Sequence, residues 1–307
     1  MNAPTGVRPA SGAGAATGAD DGPPVGTSLA EGAQVAGGSG AGRAVHVVGL
    51  PLLLLGLLLP FLPLLLWSVA ERYPYPALVP TTFSSRPVRL LADPSSQVLD
   101  GLVNSTVIAL SVAAISAAIA LSAGRALGLH RFRGKRAVQL LLLAPVLVPG
   151  LAVTLGIQVV LIRLGLSDTL RGVVFVHLLA AVPYASLVMA SVYANLDLRL
   201  EDQARTLGAG PVQVLLRVTL PAVAPGLAVA ASFAFLLSWG EYVLTLLVGG
   251  GTVQTLPLLL YAYLGSTDLP VAAALGLALV VPPVLLLGLT SRFLTGARTP
   301  LAGFGRA

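Results

Sequence analysis

The 307-residue sequence contains no cysteine, and only 10% of its residues are charged. Without cysteine the chain has no disulfide framework, thiolate metal site, iron–sulfur cluster or cysteine nucleophile. An ordinary soluble domain carries about 25% charged residues, and a chain with far fewer cannot cover a water-exposed surface. Because 56% of the residues are hydrophobic, the composition predicts an integral membrane protein.

The sequence also lacks the common motifs of catalysis and nucleotide binding. It has no G-x-x-x-x-G-K-[ST] loop, no H-E-x-x-H and no G-x-S-x-G. Its three histidines, His46, His130 and His177, are scattered along the chain. His177 lies in an apolar stretch, where a packed or hydrogen-bonded side chain and a role in a transport pathway both stay open. We therefore expect no cofactor, no metal site, no enzymatic activity and no nucleic-acid partner.

The distribution of apolar residues divides the chain into a tail and a membrane region. Residues 1–44 are rich in Gly and Ala and contain no apolar run, which predicts a disordered cytoplasmic tail. Residues 45–294 form the expected transmembrane domain, and residues 295–307 a second cytoplasmic tail. A shorter apolar stretch, Leu256–Leu264, predicts an interfacial or re-entrant segment. The six predicted spans are Val45–Ala70, Leu102–Ala123, Val138–Ile162, Gly172–Ala194, Ala222–Val248 and Val271–Thr290.

Basic residues set the expected orientation in the membrane. If the N-terminus is cytoplasmic, thirteen of the 18 Lys and Arg residues fall in inside segments and five fall outside. The segment Gly124–Ala137 is the most basic of them. This bias predicts that both termini are cytoplasmic. No internal repeat supports an inverted-repeat carrier.

Residues 195–221 form the most informative loop. The pattern predicts a helix from about Leu198 to Leu207, with Asp197 as its N-cap and Gly208 just beyond its end. The expected apolar face consists of Leu200, Ala204 and Leu207. The expected charged face consists of Glu201, Asp202 and Arg205.

A second helix is expected to follow in the same loop. Gly210 is its predicted cap, Pro211 its first residue, and Pro221 the start of the fifth span. A helix–glycine–helix segment with one apolar and one charged face suits docking into a cleft on a soluble partner. A solvated amphipathic loop is the alternative that the residues alone leave open.

The loop resembles the EAA loop of binding-protein-dependent ABC importer permeases. That pattern reads E-A-A, three residues, G, nine residues and I-x-L-P, and both spacings match. Asp for Glu keeps the charge, and Gln for the first Ala is a good helix former. The glycine suits a turn at positive φ or a close approach to a partner. The matching positions are Asp202, Gln203 and Ala204 for E-A-A, Gly208 for the glycine, and Val218, Leu220 and Pro221 in I-x-L-P.

The resemblance implies an all-α membrane protein with six transmembrane helices in the type I ABC importer permease fold. It implies two copies of a separate ABC ATPase, an extracytoplasmic solute-binding protein and a second, homologous permease chain in a heterodimer. The segments 235–242 and 253–261 resemble the polyamine, thiamine and ferric-iron importer permeases, most of all the polyamine type. The expected solute is therefore a polyamine or another cation. An ion-gradient-driven secondary transporter and a membrane-embedded enzyme are the alternatives.

Two further features lie within the predicted spans. Glu241 is the one clear acidic residue inside a span, about 10 Å from its outer end at helical rise. It either lines the entry path of a cationic solute or pairs with a neighbour or caps a broken helix. Gly124 and Gly128 form a G-x-x-x-G step, which permits close helix packing but also occurs by chance in a Gly-rich chain.

Overall fold

The computed structural model describes residues 49–72, 79–148 and 150–296. The described residues are helical apart from connections and one isolated bridge between Ala70 and Phe83, and they contain no strand. The predicted all-α fold is therefore confirmed. The predicted tail 1–44 and most of the predicted tail 295–307 lie outside the described residues.

Twelve α-helices, numbered in chain order, account for most of the described residues. Among the described residues, those up to Leu57, which hold most of α1, belong to one unit, and those from Leu58 onward belong to another. The helices are α1 Leu50–Leu58, α2 Phe61–Ser68, α3 Arg86–Ala92, α4 Val98–Leu129, α5 Lys135–Leu147, α6 Gly150–Arg163, α7 Leu170–Ala194, α8 Arg199–Thr206, α9 Pro211–Trp239, α10 Val243–Gly249, α11 Leu256–Gly265 and α12 Leu269–Gly296.

Four of the described helices, α4, α7, α9 and α12, are long and apolar enough to cross a membrane. Helices α1 and α2 add a fifth span if they are taken together. The predicted span Val138–Ile162 is divided between α5 and α6, because Val148 is extended (φ −85°, ψ 134°), as residues before proline prefer. The count of six spans is therefore not confirmed. Helix α11 has ten residues and is too short to span, as predicted.

Helices α4 and α7 run in the same direction. The last turn of α4 packs against Tyr193 in the last turn of α7. Near their first turns, Gly101 of α4 lies against Thr255 and Val173 of α7 lies against Gly249. The connection that contains α5 and α6 therefore returns the chain to the end where both helices begin. Residues 195–221, which we call the coupling segment after the role that the family resemblance implies, begin at the opposite end, directly after α7.

Of the two interpretations of the G-x-x-x-G step, close helix packing is the one that the structure supports. A Cβ atom on Gly128 would lie 2.6 Å from the carbonyl oxygen of Ala190 and 2.7 Å from Cβ of Tyr193. A Cβ atom on Gly124 would overlap Cβ of Met189. Real Cβ contacts essentially never fall below 3.0 Å. Only glycine lets α4 and α7 approach this closely, so these two residues fix the helix pair from which the coupling segment emerges.

Candidate functional site

Helix α8, which opens the coupling segment, lies close to its predicted bounds. It runs from Arg199 to Thr206, one residue shorter at each end than predicted. Leu198 occupies the N-cap position in place of Asp197. The carboxylate of Asp197 still caps the start of the helix, because the backbone N–H of Arg199 donates to Oδ1 of Asp197 at 3.0 Å.

The turn after α8 matches the prediction. Gly208 has φ +85°, the left-handed region that only glycine adopts without strain, and a Cβ atom there would meet nothing within 4 Å. Gly210 is the N-cap of the next helix and Pro211 its first residue. The backbone N–H of Gly210 donates a hydrogen bond to Oε1 of Gln213 at 3.1 Å. The chain therefore turns at Gly208, and no other part of the described chain covers this turn.

Pro221 lies in the first turn of the regular α-helix Leu220–Trp239, next to the predicted start of the fifth span, but no break separates it from the preceding turns. Helix α9 runs without interruption from Pro211 to Trp239, with a π-helical turn at Leu215–Thr219. Proline has no N–H, and its ring crowds the carbonyl group four residues earlier, here that of Arg217. A wider turn just before Pro221 accommodates this, with the Leu220 N–H donating to the carbonyl oxygen of Leu215. The coupling segment is thus continuous with a membrane-length helix.

The faces of α8 differ from the prediction in one residue. Leu200 is 49% exposed and Leu207, just after the helix, is 88% exposed, so the apolar side faces solvent. Asp202 is also exposed. Glu201, predicted to share the charged face with it, is only 3% exposed, and no other described side chain of α8 is buried. Helix α8 therefore turns Leu200 outward and Glu201 inward, and Leu207 is exposed just beyond its end.

The carboxylate of Glu201 is the centre of a hydrogen-bonded ion pair. Arg125, near the end of α4, donates through Nη1 to Oε1 at 2.8 Å and through Nη2 to Oε2 at 2.7 Å. The buried hydroxyl group of Thr219 in α9 donates to Oε1 at 2.7 Å. Arg205 donates to Oε2 at 3.2 Å. The guanidinium group of Arg125 also lies over the ring of Tyr193, 5.8 Å from its centre.

The hydrogen bonds to Glu201 keep its side chain charged. Those from Arg125, with the further one from Thr219, lower the pKa of Glu201 to about 2, although burial opposes this. The carboxylate is therefore ionised throughout the physiological range. The sequence did not predict that Glu201 is buried and paired with Arg125, because these two residues are 76 positions apart. The one sequence signal for it was the spacing of Glu201 and Arg205, which suits an ion pair on a helix.

The motif positions fall into two groups around this ion pair. Asp202 and Gln203 are exposed, and Arg205 approaches the Asp202 carboxylate at 3.4 Å. Ala204 is half-buried. In the second half of the motif, Val218 and Leu220 are half-buried and Pro221 is exposed. The structure thus brings both halves of the motif to one end of the bundle, on either side of the turn at Gly208.

Glu241 lies in a break between helices, so the prediction of an unbroken fifth span over Ala222–Val248 is wrong. Helix α9 ends at Trp239 and α10 begins at Val243. The Glu241 side chain caps α10, because Oε1 accepts a hydrogen bond from the N–H of Leu244 at 3.0 Å. The cap of a broken helix is thus present, and a solute path past the same carboxylate stays a prediction.

His177 is buried beside this break and has both ring nitrogens bonded. Nδ1 lies 2.8 Å from Oγ of Ser238, and Nε2 lies 3.0 Å from Oγ1 of Thr245. The side chain therefore ties α7 to the helices on both sides of the break. The packed and hydrogen-bonded interpretation of His177 is the one that the structure supports.

A polar concavity of about 360 Å³ opens at the end of the bundle where α4 begins. Its lining carries one acidic group, Asp100, and no basic group among the described residues. Asn104 at its wall donates to the carbonyl oxygen of Gln254 at 2.9 Å. The other lining residues are Gln97, Val103 and Thr252. Amide groups around a single carboxylate favour neutral or cationic polar ligands over anions.

Known proteins resemble this chain over most of its length. The family model "Binding-protein-dependent transport system inner membrane component" matches residues 116–297, more than half of the chain. A protein named as an ABC transporter permease, ORF1 of Streptomyces antibioticus, is 31% identical over 234 residues, covering 74% of this chain and 98% of that protein.

Two other relatives carry names with different solutes. The spermidine/putrescine permease PotC of Escherichia coli K12 is 27% identical, covering 59% of this chain and 70% of that protein. The molybdenum permease ModB of Mycobacterium bovis is 32% identical, covering 69% and 83%. The similar proteins thus share a permease architecture and differ in what they are named to transport.

A solved structure supports the fold. One chain of a bacterial ABC transporter involved in the import of the acidic polysaccharide alginate aligns with a TM-score of 0.62. It covers 83% of this chain and 98% of that one at 18% identity. At that identity the likeness establishes the fold, which is the ABC importer permease fold that the sequence resemblance implies.

Proposed function

Because this chain belongs to the binding-protein-dependent transport system inner membrane components, and is therefore a permease subunit of an ABC importer and not an enzyme, we propose that its coupling segment docks the ATPase. Two copies of a separate ABC ATPase bind the paired permeases, one at each coupling segment. Closure of the ATPases on ATP moves α8, and the permease alternates between inward-facing and outward-facing states.

The observation that carries this proposal is the outward face of α8. Leu200 and Leu207 are exposed beside the free turn at Gly208, while Glu201 anchors the opposite face. Exposed leucines that alternate with polar groups on a short helix suit insertion into a groove of a soluble partner. The Asp202 side chain, 70% exposed, is available to a basic or polar group of the ATPase.

The remaining partners follow from the same assignment. A homologous second permease completes the pathway as a heterodimer, and a binding protein delivers the solute at the outer face. The chain resides in the bacterial plasma membrane, with residues 45–294 as the permease domain and residues 1–44 and 295–307 as cytoplasmic tails. Affinity purification from native membranes tests this assembly, since an ATPase and a second permease should be recovered in stoichiometric amounts.

A reporter fused after Ala307 is expected to lie in the cytoplasm. The reason is the excess of basic residues in the predicted inside segments, thirteen against five. The measurement is the activity of a fused phosphatase, which folds only outside, against that of a fluorescent protein, which folds inside. A truncated fusion after Ser167, between α6 and α7, should give the opposite pattern. A C-terminus outside would contradict both the orientation and the six-span topology.

The solute proposed is a polyamine or another small cation. Its support is the sequence similarity to the polyamine permease PotC, the acidic group Glu241 at the helix break and the concavity whose one charged residue is Asp100. The relative named for molybdenum shows that the family's solutes differ. ATP-dependent uptake of labelled putrescine into proteoliposomes, with molybdate and maltodextrin as competitors, tests this choice, because only other amines should compete.

Glu241→Gln is expected to lower uptake of a cationic solute severalfold while leaving the ATPase bound. The amide keeps the shape of the side chain and its cap on Leu244 through the remaining oxygen, but removes the negative charge. The measurement is the KM and maximal rate of uptake in the reconstituted complex. Glu71→Gln, at an exposed site outside the helices, is the control. Unchanged kinetics in Glu241→Gln would leave this residue with its capping role alone.

A further inference from the structure

We propose that Arg125, Glu201 and Thr219 form a clamp that transmits the movement of α8 to the membrane helices. In this role Glu201 and Arg125 are positioning residues for transport, since they act through the contacts that join α8 to α4 and α9. The inference rests on the proposed docking of the ATPase on α8. It names the side chains that transmit the movement. It also assigns different roles to two acidic neighbours, because Glu201 faces the bundle and Asp202 faces outward.

The first argument is that little else fixes α8 to the bundle. An isolated helix of eight residues is not stable in water, so α8 depends on its tertiary contacts. Its leucine Leu200 faces solvent, and so does Leu207 just beyond it. Glu201 is the one buried side chain among its described residues. The attachment of α8 is therefore ionic and directional, and apolar packing contributes little to it.

The second argument is the geometry of the attachment. Arg125 and Glu201 pair through two parallel N–H···O bonds of 2.8 and 2.7 Å, an arrangement that resists rotation as well as separation. The third bond, from Thr219, fixes the same carboxylate to α9 on the far side of the Gly208 turn. A displacement of α8 is thereby imposed on α4 and α9 together.

The third argument is the rigidity of what the clamp holds. Arg125 lies between Gly124 and Gly128, where α4 and α7 are in closest contact, and its guanidinium group rests on Tyr193 of α7. Thr219 is the last residue of the π-helical turn of α9, and such turns often occur at functional sites. The clamp therefore joins the docking helix to a stiff helix pair and to an irregular turn in a third helix.

The test compares uptake and ATP hydrolysis in the same proteoliposomes, which contain both permeases, the ATPase and loaded binding protein. Glu201→Gln and Arg125→Gln each break the paired N–H···O bonds but leave the outward face of α8 intact. We expect solute-stimulated ATP hydrolysis to persist and the amount of solute imported per ATP to fall at least about tenfold. Arg125→Lys, which keeps the charge but not the paired geometry, should give an intermediate ratio.

Two controls separate the clamp from a simple structural role. Arg86→Gln breaks an exposed ion pair with Asp268, outside the coupling segment, and should leave the ratio near that of the unmodified complex. The double variant Arg125→Met with Glu201→Met replaces this partly buried ion pair by apolar groups of similar length, which often preserves stability. If the ion pair only stabilises the fold, this double variant restores the ratio. If it is a clamp, expression and assembly return while the ratio stays low.

The outcomes also distinguish this inference from the proposed function. No stimulation of ATP hydrolysis in the unmodified complex would overturn the docking of the ATPase on α8. If Glu201→Gln shows normal stimulation and imports as much solute per ATP as the unmodified complex, the clamp is overturned and the docking of the ATPase is not. A proportional loss of uptake and hydrolysis, or a ratio restored by the methionine pair, would also overturn the clamp, because the ion pair would then serve folding or docking only.

Discussion

Gly208→Arg should leave the chain inserted in the membrane and abolish the stimulation of ATP hydrolysis by loaded binding protein. Gly208 has φ +85°, and a side chain in this left-handed region costs roughly 1–2 kcal/mol. Within the chain itself an added Cβ would meet nothing within 4 Å. The larger effect is therefore expected at the ATPase, because an arginine here would hold α8 away from its groove.

A second glycine provides a matched control for that experiment. Gly134 has φ +88°, lies at the start of α5 and would also place an added Cβ in open space. Gly134→Arg thus introduces the same backbone strain in a connection outside the coupling segment. It should leave stimulation close to normal. The pair separates loss of docking from local strain, which is common to both variants.

Asp202→Lys is a milder variant of the same experiment. An exposed ion pair contributes less than about 1 kcal/mol, so reversal of this charge should reduce stimulation without abolishing it. All variants are measured as ATP hydrolysis by the purified complex in lipid, with and without loaded binding protein. Normal stimulation in Gly208→Arg would show that the coupling segment does not dock the ATPase, and the proposed mechanism would lose its main support.

The parts of the coupling segment that depend on local sequence were predictable. Helix α8, the positive φ of Gly208 and the start of α9 at Pro211 all follow from capping and turn preferences within a few residues. The inward position of Glu201 was not predictable in this way. A charged residue on a short amphipathic helix is normally solvated. Its burial is favourable here because Arg125 of α4 and Thr219 of α9 both donate to the carboxylate.

Hydropathy likewise predicted where apolar stretches occur but not where they break. The stretch 222–248 is apolar throughout, yet Gly240 and the capping carboxylate of Glu241 end one helix and start another. In the stretch 138–162, Pro149 forces the preceding residue out of the helical region. Mean hydropathy does not register a capping hydrogen bond or a steric restriction at one residue, so neither break is visible in the apolar pattern.

Gly128→Leu is expected to cause the largest loss of stability among single substitutions in α4. Its Cβ would lie 2.6 Å from the carbonyl oxygen of Ala190, which is a backbone atom and cannot rotate away. Overpacking a well-filled site typically costs 1–3 kcal/mol and occasionally more, and contact with backbone places this site at the upper end. The apparent Tm of the purified permease should fall by more than about 5 °C. Gly124→Leu, which would meet Met189, should behave similarly.

Two other glycines show whether close packing is the cause. Gly276→Leu in α12 places its side chain where nothing lies within 4 Å and should leave the Tm almost unchanged. Gly226→Ala in α9 would meet only the side chain of Val192, which can move, so an intermediate decrease is expected. An unchanged Tm in Gly128→Leu would show that α4 and α7 separate at little cost. Arg125 would then belong to a helix pair that separates easily. A movement of α8 would displace α4 from α7 and would not be transmitted to the other membrane helices.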